Sequence, residues 1–239
     1  MRVAAVADLH CGVNGTREMS RLLEGVGDAA DVLALGGDLT NLGELDEGEA
    51  LAEALAQVPI PIVAVLGNHD HESGLAPQLT ALLAGVGVHV LNGTTWEHDG
   101  VGFAGVKGFG VGFAPHRLAP FGEAAIKEFV DVSVREAAAL DHALASLESS
   151  HRVAVLHYSP IASTLKGEPS YIFPFLGDSL LGEVLDRRGA EVAVHGHAHG
   201  GRLEGVTEGG VRVLNVSRHV LCRAPGEREW TTFDVPAHG

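Results

Sequence analysis

Residues 2–10 read RVAAVADLH, an unbroken apolar run that ends in two side chains able to bind a metal ion, Asp8 and His10. The same arrangement recurs in VLALGGD (residues 32–38), IVAVLGNHD (62–70), VAVLH (153–157) and VAVHGHAH (192–199). Continuous apolar runs of this length are typical of strands that are covered on both faces. Because the sheet holds the end of a buried strand in place, these segments predict that distant polar residues gather at one sheet edge.

Helical patterns lie between the apolar segments. Thr16 is expected to cap a helix, and the apolar residues on one side of that helix are Met19, Leu22, Leu23 and Val26. Further helices are predicted at residues 49–58, 77–84, 134–147 and 179–188. The βαβα order of the first half predicts parallel strands with right-handed crossovers.

The second half of the chain has a different pattern. Short strands joined by glycine-containing turns are predicted at residues 86–91, 94–98, 101–106, 202–206, 211–216 and 230–235. Two less regular segments, residues 105–125 and 166–178, are predicted to be loops, and the aromatic residues of the second form either a substrate wall or ordinary packing. Two mixed sheets packed face to face, with helices outside, accommodate both halves, so we expect one α/β domain over residues 1–239.

Composition argues against several classes of protein. The formal net charge is −15 with only 16 basic residues, which opposes general binding to a nucleic-acid backbone. No apolar run approaches the roughly 20 residues that span a bilayer. The two cysteines, Cys11 and Cys222, lack CxxC spacing, so a disulfide framework is not expected. We therefore expect a cytoplasmic protein without membrane contact, and its oligomeric state stays open.

The strand ends carry a mixed set of metal-binding groups. Asp8 and His10 stand two residues apart, so their side chains project to the same side of an extended segment. The glycines before Asp38 allow a sharp turn that presents both carboxylate oxygens, and such a carboxylate can bridge two cations. Imidazole and carboxylate ligands suit Mn, Fe, Zn, Co or Ni better than Ca. Each motif alone is weak, but five in order after apolar strands predict a two-metal hydrolase.

The chain resembles the calcineurin-like metallophosphoesterases in its complete set of motifs. These are Asp8-x-His10, Gly37-Asp38, Gly67-Asn68-His69-Asp70, His157 and Gly196-His197-x-His199. The matched motifs span residues 8–199, and their joint specificity is high. The resemblance implies a four-layer α/β/β/α sandwich of two mixed β-sheets flanked by helices, a dinuclear metal centre and hydrolysis of phosphoesters.

The same resemblance implies a role for each residue. The residues of the first metal would be Asp8, His10 and His199, those of the second Asn68, His157 and His197, and the bridge between them Asp38. His69 would face the substrate phosphate, with Asp70 supporting its ring. His195 has no metal role in the family pattern and is interpreted as structural, and Asn215 is a candidate for a position beside the metals.

The expected reaction follows from charge and from the metal pair. Two divalent cations bring four positive charges, of which Asp8 and Asp38 remove two, so the site favours a phosphate. We expect a hydroxide that bridges the metals to attack phosphorus, while His69 protonates the leaving group. The substrate would be a small phosphorylated molecule, cleaved by a phosphodiesterase or phosphomonoesterase reaction. His116 and Arg117 are candidate phosphate contacts in the loop at residues 105–125.

Two alternatives compete with this interpretation. The first is a non-catalytic metal-binding scaffold on the same fold, although family members of that type lose ligands or the substrate-facing histidine, which this chain retains. The second is a metallo-β-lactamase-like hydrolase, which is weaker because the compact His-x-His-x-Asp-His cluster is absent. The remaining histidines lack strand-end context and are interpreted as surface or core residues: His71, His89, His98, His142, His151, His219 and His238.

Overall fold

The computed structural model describes residues 1–224 and 229–236. In chain order the elements are β1 Arg2–Val6, α1 Thr16–Leu22, α2 Val26–Ala29, β2 Val32–Gly36, α3 Leu45–Leu55, β3 Ile62–Val65, α4 Ala76–Gly85, β4 Val88–Val90, β5 Thr94–His98, β6 Val101–Val106, α5 Ala124–Ser146, β7 His151–Leu156, α6 Phe173–Leu176, α7 Ser179–Arg188, β8 Val192–His195, β9 Glu204–Val206, β10 Arg212–Asn215, α8 Arg218–Leu221 and β11 Thr231–Asp234. Short 3₁₀ helices lie at His69–His71, Ala162–Leu165 and Ser170–Ile172. His238 lies outside the described residues.

The strands form two mixed sheets. The first has the order β11-β1-β2-β3-β4, in which β1 to β4 are parallel and β11 pairs antiparallel with β1. The second has the order β5-β6-β7-β8-β10-β9, in which β6, β7, β8 and β10 are parallel. Its edge strands β5 and β9 are antiparallel to their neighbours. The second half therefore also contains parallel βαβ units, in which α5 and α7, predicted in part at residues 134–147 and in full at 179–188, are the crossovers.

Each central strand buries side chains on both faces. Val3 and Ala5 of β1 point into the layer between the sheets, where they join Phe103 of β6. Ala4 and Val6 of β1 point outward and pack under α1, α3 and α4. The outer face of the second sheet is covered in the same way by α5 and α7. The predicted four-layer α/β/β/α sandwich is confirmed, and burial of both faces explains why the strand sequences are apolar throughout.

Several element boundaries differ from those predicted. Helix α7 and strands β5 and β6 have the predicted bounds, but α3 begins at Leu45 instead of residue 49. Its start is set by a capping box between Glu44 and Glu47. Helix α5 begins at Ala124 instead of residue 134, because its first turns are exposed and lack the apolar stripe on which the prediction depended.

The first predicted helix is divided in two. Gly25 has a φ of 77°, which ends the helical path between α1 and α2. Gly15 occupies the cap position of α1, and the hydroxyl of Thr16 instead donates to the carbonyl of Ala50, 3.0 Å away on α3. Thr16 therefore links α1 to α3 by a hydrogen bond and is not the helix cap that the sequence predicts.

The two predicted loop segments pack against each other. The amides of Val111 and Gly112 both donate to the carbonyl of Gly177. The segment at residues 166–178 is more regular than predicted, because it contains a 3₁₀ turn and α6. Tyr171 and Phe175 are 79% and 61% exposed, so these two aromatic rings are largely free of packing.

None of the helices in the described part of the chain combines the length and apolar character needed to cross a bilayer. The cytoplasmic location and the single domain over residues 1–239 stay predictions.

Candidate metal centre

The structure brings the predicted ligands together at the carboxyl ends of strands from both sheets. They follow three neighbouring parallel strands of the first sheet and two of the second: Asp8 after β1, Asp38 after β2, Asn68 after β3, His157 after β7 and His197 after β8. The two sheets join here, since the amide of Ala7 donates to the carbonyl of Val216 at 2.8 Å. Carboxyl ends of adjacent parallel strands share one edge, which is where open α/β sheets place their ligand sites.

Four of the predicted ligands have backbone conformations that non-glycine residues rarely adopt. The φ angles are 59° at Asp8, 46° at His10, 49° at Asp38 and 66° at His197. The strand ends hold one another in this shape, since the amide of Asp8 donates to Gly37 and that of His10 to Asp38. Such conformations persist only where the surroundings enforce them, and they cluster at functional sites.

Two glycines of the motifs allow the close approach of the strand ends. A Cβ atom at Gly67 would overlap the backbone and the carboxylate of Asp38. A Cβ atom at Gly37, whose φ is 86°, would lie 2.5 Å from Nδ1 of His157. These glycines are therefore required by packing around the ligands as well as by turn geometry.

The first ligand group consists of Asp8, His10 and His199, whose donor atoms all lie within 4.8 Å of one another. Asp8 is buried, and both its oxygens accept the amide of His197 at 3.0 and 3.1 Å. Nε2 of His199 lies 3.2 Å from Oδ1 of Asp8. Burial opposes ionisation of Asp8, but this hydrogen bond and the neighbouring imidazoles hold its pKa below the usual range. Burial lowers the pKa of His10, which favours the neutral form that a metal requires.

The second group consists of Asp38, His157 and His197. Nδ1 of the buried His157 donates to the carbonyl of Gly36 at 2.9 Å, so Nε2 carries the lone pair. Nε2 faces Oδ1 of Asn68 at 2.9 Å and Oδ1 of Asp38 at 3.3 Å. Nε2 of His197 lies 3.2 Å from the carbonyl of Phe175, which leaves Nδ1 as its ligand atom. Burial lowers the pKa of both imidazoles, that of His197 to about 4.

The residues present fit divalent cations. Asp8 and Asp38 are 1% exposed, and among the described ion pairs each is matched only by histidine. Burial and repulsion from Asp8 raise the pKa of Asp38, so the carboxylate pair is unfavourable on its own. Next to it, the lone pair of His157 points at the oxygen of Asn68 with no proton to share. A cation held by these residues would remove both conflicts.

His69 and Asp70 are arranged differently from the expectation. Nδ1 of His69 donates to the backbone carbonyl of Asn41 at 2.7 Å, so Asn41 orients the ring. The Asp70 carboxylate accepts instead from the amides of Leu39, Thr40 and Gly67 and from the Thr40 hydroxyl, at 2.6 to 3.1 Å. Its oxygens are fully used by these donors. Among the described hydrogen bonds, those of Asp70 link the loops that carry Asp38 and Asn68, while the His69 ring bonds to Asn41. Support of the His69 ring by Asp70 stays a prediction.

His69 also lies near the ligand groups. Its Nε2 is 4.0 Å from Oδ2 of Asp38, and His10, Asp38 and His69 form a third possible ligand group. The rings of His10 and His69 meet edge to face, with centroids 4.7 Å apart. His69 is half-exposed, so its free nitrogen is accessible to a substrate beside the metal ligands.

The two candidate phosphate contacts in the first loop have different surroundings. His116 is exposed, and its role stays a prediction. Arg117 binds the fully buried carboxylate of Asp178 through Nε at 2.7 Å and Nη2 at 3.3 Å. Arg117 therefore serves to neutralise a buried charge, and its guanidinium is not available in the way the sequence suggested.

The sequence does not predict Lys107, Tyr158 and His219 as site neighbours, whereas it does predict Asn215 beside the metals. His219 stacks on His199 with ring centroids 4.1 Å apart, although its sequence context suggests an ordinary histidine. Tyr158 lies against His197 at 4.4 Å, and the ammonium of Lys107 lies 5.1 Å from the Tyr158 ring. Asn215 donates to the carbonyl of Ala198 at 2.8 Å, which steadies the loop between two ligands. Lys107 and Tyr158 lie just beyond the ends of β6 and β7, the same signal that identified the ligands, whereas His219 lies on α8 and has no such signal.

The comparisons with known proteins agree with this geometry. The calcineurin-like phosphoesterase family model matches residues 1–201. The chain therefore belongs to the calcineurin-like phosphoesterase family. Together with the candidate ligands, this makes the protein a metal-dependent phosphoesterase, a hydrolase that acts on ester bonds.

Solved structures share the fold at low sequence identity. The protein TT1561 of Thermus thermophilus is 15% identical with a TM-score of 0.59, over 92% of this chain and 90% of that chain. GAP50, the anchor in the inner membrane complex of Plasmodium, is 12% identical with a TM-score of 0.53, over 99% and 78%. A Staphylococcus aureus protein provisionally designated a 5′-nucleotidase, in complex with α-ketoglutarate, is 15% identical with a TM-score of 0.51, over 90% and 48%. No curated protein is significantly similar in sequence.

Proposed function

We propose that the protein is a dinuclear phosphohydrolase that cleaves a small phosphorylated molecule. The observation that carries this proposal is the position of Asp38. Its carboxylate belongs to one ligand group with His157 and His197 and to another with His10. One buried carboxylate shared by two groups is the arrangement expected of a bridge between two cations. Asp8 and His199 complete the set for the first metal, and Asn68 that for the second.

The chain would hold the cations with few negative charges of its own. When bound, two divalent ions would lower the pKa of water and neutralise charge on the phosphoryl oxygens. Asp8 and Asp38 are the anionic ligands, while Asn68 and imidazoles, which are neutral when they bind a metal, contribute no charge. The site therefore retains a positive surplus, which favours a phosphate even though the chain as a whole carries −15.

His69 is the residue placed to move a proton. Its Nδ1 is committed to the carbonyl of Asn41, so Nε2 is the atom that exchanges a proton with the substrate. Nε2 lies 4.0 Å from Oδ2 of Asp38, so this atom is beside the ligand groups. A proton given by Nε2 to the leaving oxygen contributes on the order of 10²–10⁴-fold to the rate.

The substrate and metals are assigned only by class. The donor set of oxygen and imidazole suits Mn, Fe, Zn, Ni or Co. The backbone carbonyl of Phe175 lies 3.2 Å from Nε2 of His197, and the side chains of Phe175 and Tyr171 on the same segment are exposed. Exposed apolar side chains on a segment that contacts the second ligand group support a small molecule with an apolar portion as the substrate. The ester is a monoester or a diester, and the proposed location is the cytoplasm.

A non-catalytic scaffold is the second candidate, and the fold match to GAP50, named as an anchor, is the observation in its favour. A metal-binding scaffold needs buried Asp8 and Asp38 and the strained ligand backbone as much as an enzyme does, so these features do not separate the two. Scaffold members of the family lose ligands or the substrate-facing histidine, whereas this chain keeps both. The half-exposed ring of His69 beside the ligand groups therefore favours catalysis.

The decisive experiment is a substrate panel with the chelated protein reconstituted separately with Mn, Fe, Ni and Zn. The panel contains cyclic nucleotides, bis-aryl phosphates, nucleotide-sugar pyrophosphates and phosphomonoesters. We expect two metals per chain and turnover of at least one class, lost on chelation and restored on metal addition. If the protein binds two metals but hydrolyses no substrate of the panel, the scaffold is favoured.

A further inference from the structure

A cavity of about 660 Å³ opens beside the first ligand group. Its lining includes the ligands Asp8, His10 and His199 and a second set, Arg218, His219 and Arg223, from the segment around α8. Glu18 of α1, which pairs with Arg218, also lines it. The second set has no role in the proposed hydrolysis. It places two arginines next to a metal site in a chain that has only 16 basic residues.

The position of α8 is fixed by the strand that carries Asp8. The amide of Arg218 donates to the carbonyl of Ala7 at 3.0 Å, one residue before Asp8. The ring of His219 then stacks on His199, with an interplanar angle of 11°. The α8 side of the cavity is thus attached to the backbone just before Asp8 and to the side chain of His199.

The two arginines differ in the charge they have available. Arg218 pairs with Glu18 at 2.7 Å and lies 3.5 Å from Glu229, so its charge is largely offset. Arg223 is exposed, donates through Nη2 to the carbonyl of His199, and takes part in none of the ion pairs of the described residues. A guanidinium has five N–H donors, so Arg223 keeps donors for an oxyanion.

We propose that Arg223, with Arg218 and His219 beside it, binds a second anionic group of the substrate. This inference rests on the proposed function, because the scissile phosphate must lie at the metal ligands for another part of the substrate to reach the α8 side of the cavity. The second group is an oxyanion, a carboxylate or a phosphate, separated from the scissile phosphorus by a short spacer. The guanidinium fork matches the geometry of either one.

The test uses the manganese-loaded full chain and three matched esters: phenyl phosphate, para-carboxyphenyl phosphate and para-phosphonophenyl phosphate. We expect the wild type to prefer at least one of the charged esters, mainly through a lower KM. Arg223→Gln should reduce that preference about 10- to 100-fold, the effect of losing a charge-assisted hydrogen bond. Arg135→Gln, which removes an exposed arginine paired with Asp131 on α5, should retain it.

A binding measurement separates this inference from the proposed hydrolysis. Calorimetric titration compares phenylphosphonate with para-carboxyphenylphosphonate and para-phosphonophenylphosphonate, none of which offers a cleavable ester. Tighter binding of a charged ligand, lost in Arg223→Gln, supports the anion site even if no ester is turned over. Equal binding of all three ligands, or an equal loss for all three in the variant, overturns it even when phenyl phosphate is hydrolysed.

Discussion

Oδ1 of Asn68 lies 2.9 Å from Nε2 of His157, although Asn68 follows β3 in the first sheet and His157 follows β7 in the second. The second ligand group is therefore built across the junction of the two sheets. His157 also donates to the carbonyl of Gly36, the last residue of β2. A cation held by these residues would bind the folded arrangement and not the unfolded chain, so metal binding and fold stability are coupled.

Chelation should lower the melting temperature. A ligand at about 100 times its Kd stabilises the folded state by ~2.7 kcal/mol per site, and for a chain of this size each kcal/mol shifts Tm by about 2–4 °C. We expect scanning calorimetry to show a loss of at least several degrees with a chelator, reversed by Mn or Zn. An unchanged Tm in protein that had held two metals per chain would contradict this coupling.

Asp38→Ala should abolish activity and lower the metal content below two per chain. The carboxylate is common to two ligand groups, so its removal affects both. Metal analysis by mass spectrometry after gel filtration gives the stoichiometry. Asp46→Ala, which removes an exposed carboxylate from α3, is the matched control and should retain both metals. Full occupancy in Asp38→Ala would remove the bridging role.

His69→Ala should retain the metals but lose rate. In the proposed reaction Nε2 of His69 gives a proton to the leaving group, so the loss should be about 10²–10⁴-fold for poor leaving groups and much smaller for good ones. Rates on a series of aryl esters with graded leaving-group pKa measure this difference. An equal loss of rate for all esters of the series would show that His69 acts on something other than the leaving group. Loss of a metal ion from His69→Ala would show that His69 is a metal ligand.

Much of this site could be predicted because strand ends are visible in sequence. The apolar runs before Asp8, Asp38 and His157 mark strands buried on both faces, and their carboxyl ends must meet at a shared edge. The family membership and the sandwich follow from the same residues.

Contacts made by the backbone could not be predicted in the same way. The carbonyl of Asn41 holds His69, and amides of Leu39 and Gly67 hold Asp70, so side-chain identity carries no signal for these bonds. The same limit explains Arg117. A basic residue in a glycine-rich loop suggested a phosphate contact, but its partner Asp178 lies 61 residues away along the chain.

Replacing Asp70 tests whether this residue holds together the loops that carry Asp38 and Asn68. Asp70→Ala leaves buried amide and hydroxyl donors without an acceptor, so it should destabilise the fold by about 2–5 kcal/mol and weaken metal binding. Denaturant unfolding measures the first effect and metal titration the second. His69→Ala, the comparison, should leave stability nearly unchanged. If Asp70→Ala keeps full stability and metal affinity but loses rate, the residue acts through His69 after all.

His195 predicts how the chelated protein responds to acid. It is fully buried, and burial lowers the pKa of its imidazole to about 4 despite the hydrogen bond to the carbonyl of Gly196. Thr164 Oγ1 lies 2.9 Å from Nε2, so the neutral ring is satisfied where it lies. In the unfolded chain the imidazole of His195 takes up a proton near pH 6.5, whereas in the folded chain it stays neutral down to about pH 4. The contribution of His195 to the free energy of unfolding is therefore complete above pH 6.5. It is lost as the pH falls toward about 4, by a few kcal/mol in total.

Urea unfolding between pH 7 and pH 4 should show a steeper fall in the free energy of unfolding for the wild type than for His195→Gln, which cannot titrate. Parallel declines would show that the ring is protonated as readily in the fold as in the unfolded chain.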